Sequence, residues 1–600
     1  MGEEMTERTD EHRTFTEVFR ARAAERPDAA ALILLTEPAR TDPPGDRAAA
    51  CDAPAPGARP DLHAETLSYR RLDAEALELA ARLRAHAAPG ERVLLVLASR
   101  RHFAVGFLAC LYASVVAVPL APTGGRGHHD ERMANVAKDA AAVCALTSTA
   151  EAPELSQLLA RTGYGSVTCV LVDRPAPAAA PHDGFAPADV TPETAAFLQY
   201  TSGSTREPRG VVVTHRALLA NQRAIATAFG TEPGDRIGGW LPFHHDMGLV
   251  GQFLHALWLG GTAVLLSPES FVKRPVRWLE MISRYGLTAS GAPDFAYELC
   301  VRRVNDAQLA GLDLSRWRIA VSGGEPVREQ TLRGFAARFA AAGLRPEALV
   351  PAYGLAEATL LVSGSSTPWT AHALGEGEAT LVTAGPPAPG TEIRIVDPGT
   401  LKAVPDGGTG EIWVRGDGVA RGYWARPAET AETFQAKITG GGGGFLRTGD
   451  LGLLHGGQLY VTGRIKDVIV VAGRNHYPQD LERTVQRVSA LFGSGTAFGV
   501  PGEREQVVLV QELRARSRYD VDLAALANAV QAALAEEHEI HAGAVLLVRP
   551  GTVRRTTSGK VERAAMRRLF LRGELTPLHQ RVEPQVTDLL PGPLAAPSRT

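Results

Sequence analysis

Two hydroxyl-rich turns, far apart in the chain, hold the residue types that handle phosphate. The first is Tyr200-Thr201-Ser202-Gly203-Ser204-Thr205, set between the apolar residues 195–198 and the valines 211–213. Glycine permits the positive φ that lets several backbone N–H groups converge on an anion, and the hydroxyls add further donors. Alone, such a stretch is most often only a turn. The second is Thr556-Thr557-Ser558-Gly559-Lys560, which contains one of only six lysines (138, 273, 402, 437, 466 and 560) in a chain that otherwise uses arginine. A lysine kept in that turn points to a need for a compact, flexible ammonium rather than a planar guanidinium.

Further segments lie between or beside these turns. One is Trp240-Leu241-Pro242-Phe243-His244-His245-Asp246-Met247-Gly248-Leu249. A second is Ser322-Gly323-Gly324-Glu325-Pro326, followed by Tyr353-Gly354-Leu355-Ala356-Glu357. A third is Thr448-Gly449-Asp450-Leu451-Gly452. A fourth is Gly463-Arg464-Ile465-Lys466-Asp467, followed by Gly473-Arg474-Asn475-His476-Tyr477-Pro478. Each has a plain structural reading: Gly323-Gly324 as a strand-to-helix turn, Tyr353-Gly354 as core plus cap, Asp450 as a turn residue, the double histidine as a solvated loop. The whole set in one order over residues 200–560 is a different matter, because chance recurrence is remote.

The elements that must position these residues read as α/β. At 600 residues the chain is too long for one core. Helical and β-rich runs alternate from residue 64, with strands at 93–97, 169–172, 263–266 and 319–321 and a helix at 215–229 capped by Thr214. Strands apolar on both faces, separated by helices, indicate parallel sheets. Residues 391–425 read as shorter strands of a small β-barrel-like subdomain, and a further α/β unit follows from about 465. The expected organisation is a large N-terminal domain (1–463) of two α/β subdomains plus the barrel-like one, a small C-terminal α+β domain (464–576), and a flexible tail (577–600). Residues 36–63, rich in Pro, Ala, Asp and Gly, read as a disordered loop, and the glycines 440–444 as a flexible one.

Composition excludes several classes. A net charge of −3 offers no bulk attraction to nucleic acid or to a membrane surface. No apolar run reaches the ~18 residues a bilayer span needs. Five scattered cysteines without a C-x-x-C argue against a disulfide scaffold or zinc site and favour a reducing cytoplasm. The Ala/Arg/Gly-rich, lysine-poor usage is that of a high-GC bacterium.

On these motifs the chain resembles the adenylate-forming superfamily of acyl-CoA synthetases, luciferases and peptide-synthetase adenylation domains, and within it the fatty acyl-AMP ligases. The resemblance runs from about 14 to 573 and is closest over 198–215, 291–300, 313–361 and 466–482. It implies a two-step reaction: a carboxylate attacks the α-phosphorus of ATP to give acyl-AMP and pyrophosphate, then a thiol displaces AMP. It implies that Thr201, Ser202, Gly203, Ser204 and Thr205 hold the β- and γ-phosphates, and that Thr201 and Glu357 carry Mg2+. Tyr353 would stack on adenine, with Gly354 beside it in the nucleotide site, Gly323, Gly324 and Glu325 would line the base pocket, Asp450 would accept the ribose hydroxyls, and Arg464 would fix ribose and phosphate. Lys560 would bridge the attacking carboxylate and the α-phosphate from a mobile C-terminal domain that hinges at Lys466. His245 would gate the acyl pocket, with Trp240, Phe243, Met247 and Phe253 along the acyl path.

Three departures bear on this assignment. Arg209 stands where many relatives have lysine, and His244 where the acyl-AMP ligases have an aromatic residue. The segment 361–383 is shorter than the insertion that helps those ligases disfavour CoA. The resemblance implies the phosphopantetheine thiol of an acyl carrier protein as acceptor, and the short segment keeps CoA as the alternative. A catalytically dead nucleotide- or acyl-binding relative is disfavoured, because Thr201, Glu357, Asp450, Arg464 and Lys560 are all present. Amino-acid adenylation is the remaining reading, with Asp246 set in a Phe-His-His-Asp-Met-Gly frame typical of acyl substrates.

Overall fold

A computed structural model describes residues 12–37, 62–123, 128–174, 187, 190–200, 208–373, 380–471, 474–501, 505–514, 521–556 and 560–592. Aliphatic strands flanked by amphipathic helices form two large sheets. The first runs Leu361–Gly364, Leu349–Gly354, Ile319–Ser322, Ala289–Ala292, Arg236–Gly239, Thr262–Leu266, Ala30–Thr36, His63–Ser68, parallel throughout except at its two edges. The second runs Thr168–Leu171, Cys144–Thr147, Arg92–Val96, Val116–Leu120, Ala195–Tyr200, Gly210–Thr214. Its last pair is antiparallel, with Tyr200 opposite Gly210. Tyr200 and Gly210, which flank the segment 201–209, are therefore neighbours across this pair.

Helix boundaries follow capping chemistry. The helix His215–Phe229 starts at Thr214, whose hydroxyl accepts from the Ala217 N–H at 3.2 Å, and ends at Gly230 in the left-handed region. A small five-stranded sheet is built on Thr391–Val396, Gly410–Gly416, Gly443–His455 and Gln458–Arg464; it holds the short strands expected at 391–425 and extends beyond them to Arg464. The glycines 440–444 do not form a free loop throughout. Gly442 accepts from the Ile438 N–H and Gly443 opens the strand Gly443–His455, so the run is a tight turn of a hairpin.

The last unit has its own four-stranded sheet: Phe492–Val500, Gln506–Leu513, Ala544–Val548, His579–Val582. The last of these strands corrects the expected tail at 577–600. His579–Val582 pairs antiparallel with Ala544–Val548, and Val586, in the helical turn Pro584–Thr587, is fully buried against Phe498, Met566 and Phe570. The prolines that suggested looseness are placed where proline is tolerated: Pro577 precedes the strand and Pro584 opens the helical turn. Residues 593–600 lie outside the described residues, as do 38–61 of the expected loop, whose flanks pair antiparallel with Thr36 opposite His63. Among the described residues no helix is long and apolar enough to cross a membrane. Cys110, Cys144, Cys169 and Cys300 are free thiols.

Candidate active site

Most of the sequence-selected residues sit at strand ends and the turns that follow. The strand Ile319–Ser322 ends in the turn that carries Gly323, Gly324 and Glu325; the strand Leu349–Gly354 ends in Tyr353 and Gly354. These two strands are parallel neighbours, with Ser322 opposite Pro351, so their ends lie side by side. Gly354 admits no side chain: a Cβ there would stand 1.8 Å from the Leu360 carbonyl oxygen. The chain then turns through Ala356–Ala358, placing Glu357.

Tyr353 and Arg464 converge on Asp450. The Tyr353 hydroxyl donates to Asp450 Oδ2 at 2.7 Å, and Arg464 Nε stands 2.9 Å from Asp450 Oδ1. Asp450 lies in the long strand Gly443–His455 and is nearly buried at 5% exposure; Arg464 ends the strand paired with it, directly opposite. Asp450 holds Arg464 even more firmly protonated than usual, while burial and the Asp450 charge push the Tyr353 phenol well up, keeping it a donor.

Lys560 comes to this cluster from the C-terminal unit. A Cβ on Gly324, which has φ +77°, would stand 3.7 Å from Lys560 Cε and Nζ and 3.4 Å from Met247 Sδ. A side chain at 324 is disfavoured by φ, while the space beside it is ordinary van der Waals contact. The Lys560 N–H donates to Thr556 Oγ1 at 3.1 Å. Burial lowers the pKa of the ammonium, against the opposing pull of Asp246, Glu325 and Asp450. Burial raises the Asp246 carboxyl, which the nearby Lys560 charge works to lower. Glu325, also raised by burial, accepts from the Phe295 N–H at 2.7 Å.

The histidine segment forms the facing wall. The backbone N–H of His245 donates to the Pro242 carbonyl at 3.2 Å, and Gln199 Nε2 donates to the His244 carbonyl at 2.7 Å, which ties this wall to the strand ahead of the 201–205 turn. Burial, reinforced by His244 and the charges of Lys560 and Arg132, holds His245 well below the usual imidazole range, so it is neutral. Residues Met247–Leu254 form a π-helix, a rare backbone that clusters at functional sites. Nothing in the spacing of that stretch distinguishes it from an ordinary helix.

The structure divides the expected acyl-path residues. Met247 faces Gly324 and the lysine. Phe243 and Phe253 pack together at 5.1 Å in one core, with Phe103 4.9 Å from Phe243. Trp240 is stacked on Phe271 at 4.0 Å in another. All three aromatics are buried, so they build the walls rather than an open surface. Thr201, Ser202, Gly203, Ser204 and Thr205 lie outside the described residues. Lys466 sits in the turn Ile465–Asp467 after the strand Gln458–Arg464, where burial and the Arg464 charge depress its pKa.

Sequence reading missed Tyr423. Its hydroxyl donates to Glu357 Oε1 at 3.1 Å, and burial raises the Glu357 carboxyl, a shift that this hydrogen bond opposes. No spacing rule links positions 357 and 423; the only signal was a buried-type aromatic in Arg421-Gly422-Tyr423-Trp424.

Comparison with known proteins is consistent with this geometry. The family model described as "AMP-binding enzyme" matches residues 20–424, and that described as "Disco-interacting protein 2-like, AMP domain" matches 466–580. The chain is 38% identical to the medium-chain-fatty-acid–[acyl-carrier-protein] ligase JamA of Moorena producens, over 86% of this chain and 92% of that protein. It is 38% identical to the long-chain-fatty-acid–AMP ligase FadD26 of Mycobacterium marinum, over 84% and 91% respectively. Among solved structures, the fatty acyl-adenylate ligase of L. pneumophila in complex with acyl adenylate and pyrophosphate superposes with a TM-score of 0.71 at 33% identity, covering 96% of this chain and 99% of that one.

Proposed function

The chain belongs to the AMP-binding enzyme family, and from that premise we propose that it is an AMP-forming fatty acyl ligase. It activates a fatty acid with ATP to acyl-AMP and pyrophosphate, then passes the acyl group to the phosphopantetheine thiol of an acyl carrier protein. What supports this reading best is Lys560: a lysine from a unit with its own sheet stands at Gly324, beside the Tyr353–Asp450–Arg464 cluster.

In the first step a carboxylate oxygen of the acid bonds to the α-phosphorus, the α–β phosphoanhydride breaks, and pyrophosphate leaves. The reaction gathers negative charge in one place, so positioning and charge stabilisation are the protein's main tasks. Lys560 supplies a cation between the acid and the α-phosphate. Tyr353 offers an oriented ring face to adenine, with Gly323, Gly324 and Glu325 around the base and Gly354 allowing the close chain approach behind it. Asp450 takes the ribose hydroxyls, since a carboxylate has lone pairs for both. Arg464 steadies ribose and phosphate. Neutral His245 gates the acid's entry without placing a second cation beside the carboxylate, and Met247 touches the acid, with Trp240 and Phe243 as the packed wall behind.

The donor set suits magnesium: Glu357 is a hard carboxylate beside a phosphate-rich substrate, and Thr201 would add a hydroxyl. The ion would neutralise charge on the phosphates. The turn 201–205 keeps its assignment to the β- and γ-phosphates on its sequence. The N-terminal domain ends at about 463, the C-terminal domain begins at 464, and Lys466 is the hinge about which it turns for thiol transfer. The short segment 361–383 keeps CoA as the alternative acceptor.

The test is pyrophosphate release with ATP across carboxylic acids of rising chain length, followed by mass detection of product with a holo carrier protein or with CoA. Acid-dependent pyrophosphate release and an acylated carrier are expected. Release with no fatty acid in the series overturns the activity, and efficient acyl-CoA formation without carrier loading overturns the acceptor.

A further inference from the structure

The Glu357 carboxylate is held by a chain of charged and phenolic groups that reaches well outside the nucleotide site. Tyr423 donates to Glu357 Oε1 at 3.1 Å. Its ring is 8% exposed and meets Phe434 edge-on, 5.1 Å between centroids at 83°, so it has little room to swing. The Arg209 guanidinium lies over that ring, 5.4 Å from its centroid, and Arg209 Nε stands 2.9 Å from Glu429 Oε2. Arg426 Nη1 donates to Glu429 Oε1 at 2.9 Å, and Arg426 Nη2 to Asp139 Oδ1 at 2.8 Å. Asp139 Oδ2 accepts in turn from the Tyr200 hydroxyl at 2.7 Å.

The backbone reinforces the same line. The Ala420 N–H donates to the Glu357 carbonyl at 2.9 Å, and the Trp424 N–H to the Gly210 carbonyl at 2.7 Å. The segment 420–424 is therefore stitched at one end to the Glu357 turn and at the other to the strand Gly210–Thr214. A solvated cluster of surface charges would have neither the buried phenol nor this double attachment.

We propose that Tyr423 is a positioning residue for the Glu357 carboxylate, and that the chain Arg209–Glu429–Arg426–Asp139 keeps Tyr423 in place. One carboxylate oxygen is tied by the phenol, which fixes the plane of the group and the direction of the other oxygen toward a cation carried on ATP. The proposal rests on the functional reading above, in which Glu357 carries the metal. It gives Arg209 a role that differs from a phosphate contact: its guanidinium bridges a carboxylate and an aromatic face, which a lysine could not do with the same planar geometry.

The probe is Mn2+ titrated by electron paramagnetic resonance into the full-length protein saturated with α,β-methylene-ATP, for the wild type and for Tyr423→Phe, Glu429→Gln and Asp139→Asn. Tyr423→Phe keeps the ring and deletes only the hydroxyl. Losing a hydrogen bond to a charged group should weaken Mn2+ binding roughly ten-fold or more, with KM for the fatty acid within about two-fold of wild type. Glu429→Gln and Asp139→Asn should weaken it in the same direction and less. Unchanged Mn2+ affinity in Tyr423→Phe, beside a wild type that releases pyrophosphate, overturns the proposal alone. So does a parallel rise in the fatty-acid KM with a lowered Tm, which is the signature of a merely structural tyrosine. A wild type that releases no pyrophosphate with any acid overturns the functional reading and this proposal with it.

Discussion

Replacing Lys560 by alanine should separate the two half-reactions. On the proposed assignment the Lys560 ammonium, which stands 3.7 Å from where a Gly324 Cβ would be, meets the α-phosphate of the nucleotide directly. At about 4 Å and an effective dielectric near 20, a unit pair interacts by about 4 kcal/mol. Only the part that grows as the α-phosphorus is attacked counts toward rate, so a loss of about 10²–10³ in the adenylation step is expected, the size seen when one such donor is removed. KM for ATP should move far less, because Tyr353 and Asp450 sit on strands away from Lys560 in the chain and keep their mutual hydrogen bond. The fold should survive, since the core of the C-terminal unit is built from Phe498, Val508, Leu546, Phe570 and their neighbours rather than from the lysine. Lys560→Arg should not rescue, because a planar guanidinium cannot take the compact position of the ammonium. The assay is pyrophosphate release with ATP and fatty acid, run beside thiol transfer from presynthesised acyl-AMP. Collapse of the first with the second near wild type is the expected result. Near-normal pyrophosphate release by Lys560→Ala would refute the assigned role.

Three further outcomes follow from the same geometry. Asp450→Asn removes the charge that orders both Tyr353 and Arg464, so KM for ATP should rise roughly 10- to 100-fold, with the fatty-acid KM nearly unchanged, in the same pyrophosphate assay. Gly354→Ala places a methyl 1.8 Å from the Leu360 carbonyl, and the forced backbone shift should lower Tm and abolish nucleotide protection against heating. His215 and His255 are buried neutral, with pKa values pushed down by burial to about 4 and about 3. The unfolded chain takes up their protons near pH 6.5 while the folded one does not, so stability is full above that pH and falls as pH drops toward 4. Asp294, raised by burial to about 7, is protonated in the folded state over the same window and offsets part of this loss. Urea midpoints should therefore fall from pH 7.5 to pH 5, and Asp294→Asn should make the fall steeper; midpoints that rise over this range would contradict the assignment.

Much of this was legible because strand-to-turn chemistry is local. The alternating strands, the Thr214 cap and the barrel-like strands all follow from short-range patterns, and so does the proximity of Gly323 and Tyr353 once their strands are taken as parallel neighbours. Composition misled where context overrode it. Proline after 577 suggested looseness, yet Val586 had a hydrophobic slot to fill and Pro584 sat at a helix start, where its missing N–H costs nothing. Five glycines suggested a mobile loop, yet a tight hairpin also needs positive φ, and Gly440 and Gly444 supply it. The aromatics at 240, 243 and 253 could have lined an open path or filled a core, and in the structure all three are buried. The Tyr423–Glu357 pair and the π-helix at Met247–Leu254 were not legible at all, since both arise from tertiary placement with no periodic trace in the chain.

The state of Asp450 has a consequence for how ATP would bind on the proposed assignment. Both of its oxygens are already engaged, one by the Tyr353 hydroxyl and one by Arg464. A ribose that donates to this carboxylate must share or displace those donors, so part of the gain from the new hydrogen bonds is lost in the exchange. What remains is orientation. One carboxylate fixes the tilt of the ring that would receive adenine and the reach of the arginine that would meet the phosphates, and it does so before the nucleotide arrives. The ordering cost that would otherwise fall on binding has then been met in folding, which is the general advantage of a preorganised site. Asp450 is nearly buried while Arg464 is half exposed, so the anchor sits in the wall and the arginine reaches outward from it. On this view the carboxylate that we propose binds ribose also orients Arg464, two positions before Lys466, the proposed hinge.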